Sequence, residues 1–209
     1  FFSTFVTVCV GCGLRPGFFP KPYSPYRMIV NGDRATAVKW PWMVYYDRGS
    51  GHFCSGSIVA PRWILTAGHC DSRGNQSLRV GNDAQRVVEI ADEFEHAEWN
   101  LATLTDDIKL LRLAAPLNFT DDVQPVCLYD GTQRLASGFK GWVAGFGYDL
   151  GERSDEHYLN DAEVNVFDYE ECNTRVNTYL ERMESTQSRV NLTDEQVCAG
   201  AYQQGVYSG

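Results

Sequence analysis

Two segments of this 209-residue chain carry residue types and spacings suited to acid–base chemistry. The first is Cys54-Ser55-Gly56-Ser57-Ile58-Val59 followed by Trp63-Ile64-Leu65-Thr66-Ala67-Gly68-His69-Cys70, an apolar run that ends on a histidine beside a cysteine. A serine hydroxyl is too weakly acidic to attack a peptide carbonyl unaided, so a neutral imidazole in hydrogen-bond reach must take its proton. His69 has that chemistry. Such an imidazole also needs a carboxylate to fix its tautomer and to stabilise the imidazolium that forms. The second segment, Thr105-Asp106-Asp107-Ile108-Lys109-Leu110-Leu111, puts two adjacent acids at the mouth of an apolar strand. Either acid could serve, and either could be a solvated turn residue. His52, Cys54, His69 and Cys70 are zinc-ligand types as well. Their spacing matches no closed metal site, and in an oxidising compartment the thiols would pair instead.

These residues need rigid elements to hold them. Short β-rich runs occur at Trp42–Tyr46, Gly56–Val59, Trp63–Ala67, Leu78–Val80, Arg86–Ile90, Ile108–Leu113, Gly141–Ala144 and Ala162–Val166, separated by Gly, Asn, Asp and Pro. That spacing predicts an antiparallel barrel or sandwich. Only Asp168–Arg182 has helical periodicity, with Tyr169, Cys172, Val176 and Tyr179 recurring at three and four residues. The class predicted is all-β with one surface helix. Residues 1–28, rich in Gly and Pro from Gly11 to Pro25, read as an extended leader, and the folded domain is expected to begin near Ile29.

Composition narrows the function. Twenty-seven acidic against 18 basic side chains leave a formal charge of -9, which excludes binding driven by nucleic-acid phosphates. With 44% hydrophobic residues the chain can bury a real core. No run reaches the roughly 18 apolar residues that span a bilayer, and the Phe1–Val10 stretch reads as the tail of a secretion signal. Seven cysteines point to an oxidising compartment, and the acceptor triplets at Asn75, Asn118 and Asn191 agree with a secretory route and make these glycosylation candidates. The protein is expected to be extracellular.

The His69 and Asp107 segments together resemble the chymotrypsin-like, or trypsin-family, serine proteases: Cys-x-Gly-Ser, then Trp-x-Leu-Thr-Ala-x-His-Cys, then Asn-Asp-Ile-x-Leu-Leu with Asp106 in the place of Asn. The resemblance runs from Cys12 to Gly209. It implies two antiparallel six-stranded β-barrels, the second incomplete within this sequence, and a secreted zymogen that hydrolyses peptide bonds by a His-Asp-Ser triad. His69 is then the general base, Asp107 its orienting acid, and Ser57 a support for Asp107. Ile29-Val30-Asn31-Gly32 is similar to the family's activation site, where cleavage frees an Ile29 ammonium; here Met28 rather than a basic residue precedes it, with Arg27 one place further back. The resemblance also implies the disulfides Cys54–Cys70, Cys172–Cys198 and Cys12–Cys127, the last tethering the leader, with Cys9 left over. A loop of about 16 residues closed by Cys54–Cys70 is worth roughly 3 kcal/mol. The implied partners are a protein or peptide substrate, an activating protease and protein inhibitors.

The family's Gly-Asp-Ser-Gly-Gly segment is absent from the 209 residues, so the chain reads as a fragment whose nucleophile lies a few residues past Gly209. Gly205-Val206-Tyr207-Ser208-Gly209 resembles the wall of the primary pocket and implies neutral, apolar substrate side chains, with Ser208 a substrate-binding candidate. Asp92-Glu93-Phe94-Glu95 lies where some relatives bind calcium, although such runs are commonly solvated faces; no other cofactor is implied. Gly141 and Phe146 stand where the family often has Cys and Trp, so one customary bridge is expected to be missing. The competing function is a catalytically inactive homologue that acts by binding.

Overall fold

A computed structural model describes residues 12–16, 33–49, 51–71, 76–81, 84–101, 103, 105–131, 135–146, 158–182 and 196–200. The elements in chain order are β1 (Asp33–Arg34), β2 (Met43–Gly49), β3 (His52–Ala60), β4 (Trp63–Thr66), β5 (Ser77–Val80), β6 (Arg86–Val88), β7 (Ile90–Glu95), β8 (Lys109–Leu113), β9 (Lys140–Phe146), β10 (Leu159–Val166), α1 (Tyr169–Arg182) and β11 (Ala199–Gly200). Seven strands form one antiparallel sheet in the order β6-β5-β2-β3-β4-β8-β7.

Its two outer strands, β6 and β7, are separated in sequence by Glu89 alone, yet β6 pairs with β5 and β7 with β8. A single stretch bent at Glu89 therefore joins both ends of the sheet, which curls on itself. The expected strand over Arg86–Ile90 is corrected accordingly: the ladder breaks at Glu89, and the acidic segment read as a solvated face is the second half of this stretch. It forms a strand because Asp92, Glu93, Phe94 and Glu95 pair with Arg112, Leu111, Leu110 and Lys109 of β8.

Alternation fills the interior. β8 runs inward, outward, inward, with Leu111 and Leu113 fully buried between Arg112 and Leu110 on the other face. Val44, Tyr46, Ile58, Ile64, Leu78, Val80, Leu117 and Val123 complete this core. Tyr46 buries its ring and donates its hydroxyl to Gln76 Oε1 at 2.7 Å, and burial pushes the phenol up to about 12.

The second sheet has four strands among the described residues: β10 pairs with β9 along its length and with β1 and β11 on its other edge. Ala35, Trp40, Met43 and Leu159 pack at the junction of the two sheets with Trp42, Ala144 and Phe146. Phe146 lies edge-on to Tyr45 and donates its backbone N–H to Ser55 Oγ at 2.9 Å, so the second sheet is fastened to the first behind β3. Asp161, fully buried in β10, accepts from Trp40 Nε1 and pairs with Lys39 at 2.6 Å. Trp142 of β9 is half exposed, with the Lys39 ammonium over its ring.

The helix begins one residue later than its periodicity suggested because Asp168 caps it, accepting the Glu170 N–H at 2.9 Å. All three implied disulfides, Cys12–Cys127, Cys54–Cys70 and Cys172–Cys198, are formed. Among the described residues no helix is long and apolar enough to cross a membrane.

Candidate active site

His69 sits on the turn that leaves β4. Four fixtures hold this turn. Thr66, the last residue of β4, donates its hydroxyl to Ser55 O at 3.0 Å, and Cys70 is bonded to Cys54 of β3. Buried Arg48 of β2 donates from Nη1 to His69 O at 2.6 Å. The fourth is Asp107, whose Oδ1 accepts the His69 backbone N–H at 2.7 Å. Gly68 is required by close approach: a Cβ there would lie 2.9 Å from the Trp99 ring and 3.1 Å from Asp107 Oδ1. The half-buried Trp99 and the Asp107 carboxylate thus both crowd Gly68.

Asp107 arrives from the opposite side, at the entrance to β8. Asp106 adopts a left-handed backbone (φ 54°), and its carbonyl accepts the Ile108 N–H at 2.8 Å. This tight reversal sends the two neighbouring acids to different partners. Asp107 turns to His69, while the Asp106 carboxylate lies 3.6 Å from His96 Nδ1. A left-handed position suits Asn or Asp better than other side chains, which accounts for the residue type at Asp106.

The central contact is His69 Nδ1 with Asp107 Oδ2 at 2.6 Å. A carboxylate accepts only, so this pairing keeps a proton on Nδ1 and leaves Nε2 with its lone pair free to accept one. Among the described residues no hydrogen bond reaches Nε2. The His69 side chain is 50% exposed and that of Asp107 25%, so the imidazole faces a solvent-accessible surface while its partner is shielded. The arrangement can take a proton from a hydroxyl placed near Nε2 and stabilise the resulting imidazolium.

Lys109, two residues past Asp107, was not singled out from the sequence. Its alternation phase matches Leu111 and Leu113, which is the signal that would have found it: a cation on the inward phase of an apolar strand. Its side chain is 1% exposed and its ammonium lies 2.8 Å from Asp71 Oδ1, 3.0 Å from Glu95 Oε1 and 3.4 Å from both Glu93 Oε2 and the Cys70 carbonyl. Burial alone would lower this ammonium, but hydrogen bonds to Asp71 and Glu95 and the charges of Asp71 and Glu93 outweigh it and hold the group above the ordinary lysine value. The Asp71 carboxyl is held below its usual value, first by the Lys109 hydrogen bond.

The acidic run considered for calcium spends its charge internally. Glu93 and Glu95 face Lys109, and Asp92 pairs with Arg112. For zinc, the Cys54 and Cys70 sulfurs lie within 4.8 Å of a His69 ring nitrogen, but they are bonded to each other and offer no thiolate. Ser57 makes no hydrogen bond to Asp107; its backbone pairs with Met43 and Leu65. Asn118 is exposed on a loop. Ile29, Asn75, Asn191 and Ser208 lie outside the described residues, as do Cys9, Arg27 and Met28. The segment around Cys12 is tied down more firmly than its disulfide alone requires: Gly13 N–H donates to Pro125 O at 2.8 Å, and the Arg15 guanidinium lies 4.3 Å from the Trp40 ring centroid.

The sequence profile of the trypsin family matches residues 29–209. The chain belongs to the trypsin family. Among solved structures, neuropsin, a serine protease expressed in the limbic system of mouse brain, is 26% identical, with a TM-score of 0.63 over 82% of this chain and 74% of its own. The scabies mite inactivated protease paralogue S-D1 is 20% identical, with a TM-score of 0.68 over 82% of this chain and 73% of its own, a likeness of fold. The curled sheet carrying His69 and Asp107 and the smaller sheet behind it accord with the chymotrypsin-like fold of this trypsin-family chain.

Proposed function

We propose that the protein is a secreted serine endopeptidase, made as a zymogen, in which His69 is the general base and Asp107 orients it. The observation that carries this reading is the His69 Nδ1–Asp107 Oδ2 contact of 2.6 Å, reinforced by the His69 N–H on the same carboxylate. In the proposed reaction His69 Nε2 takes the proton of a serine hydroxyl as it attacks the peptide carbonyl. The imidazolium then gives that proton to the leaving amine, and a water molecule repeats the exchange to free the acid product. The Gly-Asp-Ser-Gly-Gly segment does not occur in residues 1–209, so this reading requires the nucleophile and oxyanion donors to come from chain outside them.

Ile29 is proposed as the N-terminus freed on activation by another protease, the leader staying attached through Cys12–Cys127. The domain is taken as 29–209 and the leader as 1–28. Protein inhibitors and glycans at Asn75, Asn118 and Asn191 belong to the same secretory reading, as does a substrate preference for neutral, apolar side chains walled by Ser208. No cofactor is assigned.

The competing reading, a non-catalytic homologue that works by binding, has no chemical use for an imidazole held in a single tautomer. The test is hydrolysis of a mixed peptide library by the native protein after activating cleavage. The proposal expects cleavage at defined sites that disappears in His69→Ala. Intact peptides after cleavage at Met28–Ile29, with the fold preserved, would leave the binding reading in place.

A further inference from the structure

The His69 turn and the Asp107 strand approach each other from different parts of the chain, 38 residues apart. A 2.6 Å contact between them requires that the distance between turn and strand be fixed on more than one side. On the Asp107 side the backbone N–H of His69 does this. On the far side stands the Lys109 ammonium.

Its position is unusual for a lysine. The stem runs inward from β8, and the ammonium touches two elements at once: the residues that follow His69, through the Cys70 carbonyl and the Asp71 carboxylate, and β7, through Glu93 and Glu95. Asp107 and Lys109 belong to the same short segment, so a grip on Cys70 and Asp71 by Lys109 is a grip on the His69 turn by the strand that carries Asp107. Three carboxylates converge on this one cation. Without it Asp71 would face Glu93 and Glu95 with only the Arg48 charge left to offset them, and like-charge repulsion would push the turn away from the strand.

We propose that Lys109 is a positioning residue that holds the His69 turn in register with Asp107 by bridging Cys70 and Asp71 to Glu93 and Glu95. This rests on the reading of His69 as the general base, but its test does not need turnover. The Nδ1 proton of His69 shared with Asp107 is observable as a low-field proton resonance, whose position and solvent exchange report the contact itself.

The comparison uses Lys109→Met, which keeps the length of the stem without the charge, and Asp71→Asn, which releases the turn end of the bridge at a half-exposed position. Leu111→Ala is the control. It lies on the next inward phase of β8, opposite Glu93 in the ladder, and weakens the core without removing a charge or a hydrogen bond of the bridge. In the full chain, well below the melting temperature, Lys109→Met and Asp71→Asn are expected to move the His69 Nδ1 proton upfield by about 1 ppm or to speed its exchange about tenfold. Leu111→Ala should lower thermal stability and leave the resonance in place. Where Lys109→Met does not fold, Asp71→Asn decides alone. The proposal is overturned if the two bridge variants leave the resonance unchanged, or if Leu111→Ala shifts it as far. Loss of hydrolysis in His69→Ala is a separate readout, so the role of Lys109 can fail while the reading of His69 stands, and the converse.

Discussion

Replacing Asp107 by Asn tests the geometry of the site more sharply than deleting it. The Asp107 carboxylate has two occupied oxygens: Oδ1 accepts the His69 backbone N–H at 2.7 Å and Oδ2 the Nδ1 proton at 2.6 Å. An amide offers one acceptor and one donor for these two places. If its oxygen takes the backbone N–H, its NH2 faces Nδ1 and requires that nitrogen to be unprotonated, which moves the ring proton to Nε2. If the amide is flipped, NH2 meets the backbone N–H, donor against donor. The backbone contact therefore selects the first orientation and with it the wrong tautomer, in which Nε2 cannot accept a proton from a hydroxyl. A tautomer change of this kind lowers kcat in Ser-His-Asp proteases by about 10^4. At about 1.4 kcal/mol per tenfold, that is about 5.5 kcal/mol of transition-state stabilisation. The assay is kcat and KM of the activated native protein on a chromogenic peptide, with thermal melting as the check on folding. A KM near that of the parent and a kcat lower by three to four orders of magnitude are expected. A loss smaller than about tenfold in a folded Asp107→Asn variant would refute the reasoning.

Other outcomes follow from the packing. Leu111→Ala empties a fully buried site on β8 between β4 and β7 and should cost about 2 to 5 kcal/mol, read from denaturant or thermal unfolding. Reducing or removing Cys54–Cys70, which closes a 16-residue separation, should cost about 3 kcal/mol, a fall in Tm of about 6 to 12 °C. Asp71 is held below its usual carboxyl value in the folded state, so its contribution is present above the unfolded pKa of about 4 and is lost as pH falls through the lower folded value. Asp71→Asn should therefore lower Tm in the neutral range, where the contribution is present, and converge with the parent at acid pH, where it is already lost, so that the acid limb of a Tm-against-pH curve flattens. After cleavage ahead of Ile29, the leader should stay with the domain on a non-reducing gel and separate on a reducing one, through Cys12–Cys127.

Much of this molecule is written locally. The strands around His69 and Asp107 are legible because alternation and turn residues are short-range signals, and α1 because Cys172 and its neighbours recur at helical spacing. What was not legible depends on residues far apart in sequence. The division of residues 86–95 at Glu89 arises from which edge each half finds, β5 or β8, and no window of ten residues contains that choice. The acidic run looked like a solvated face because its cations, Lys109 and Arg112, lie on another strand. Residue type alone leaves Asp106 and Asp107 equivalent and the resemblance selects Asp107; what parts them physically is the left-handed backbone at Asp106, an angle that the side-chain pattern does not encode. The support for Asp107 that the resemblance implies from Ser57 is carried by no hydrogen bond among the described residues, both Asp107 oxygens being bonded to His69.

The central claim is that His69 and Asp107 serve an activated serine. Labelling of the activated native protein with a fluorophosphonate, which reacts only with a nucleophilic serine hydroxyl, tests it most directly. The account predicts close to one label per molecule, with labelling lost in His69→Ala under conditions where that variant remains folded. An unlabelled protein with its fold and its activating cleavage intact would contradict the account and make the His69–Asp107 contact a structural inheritance of a binding protein.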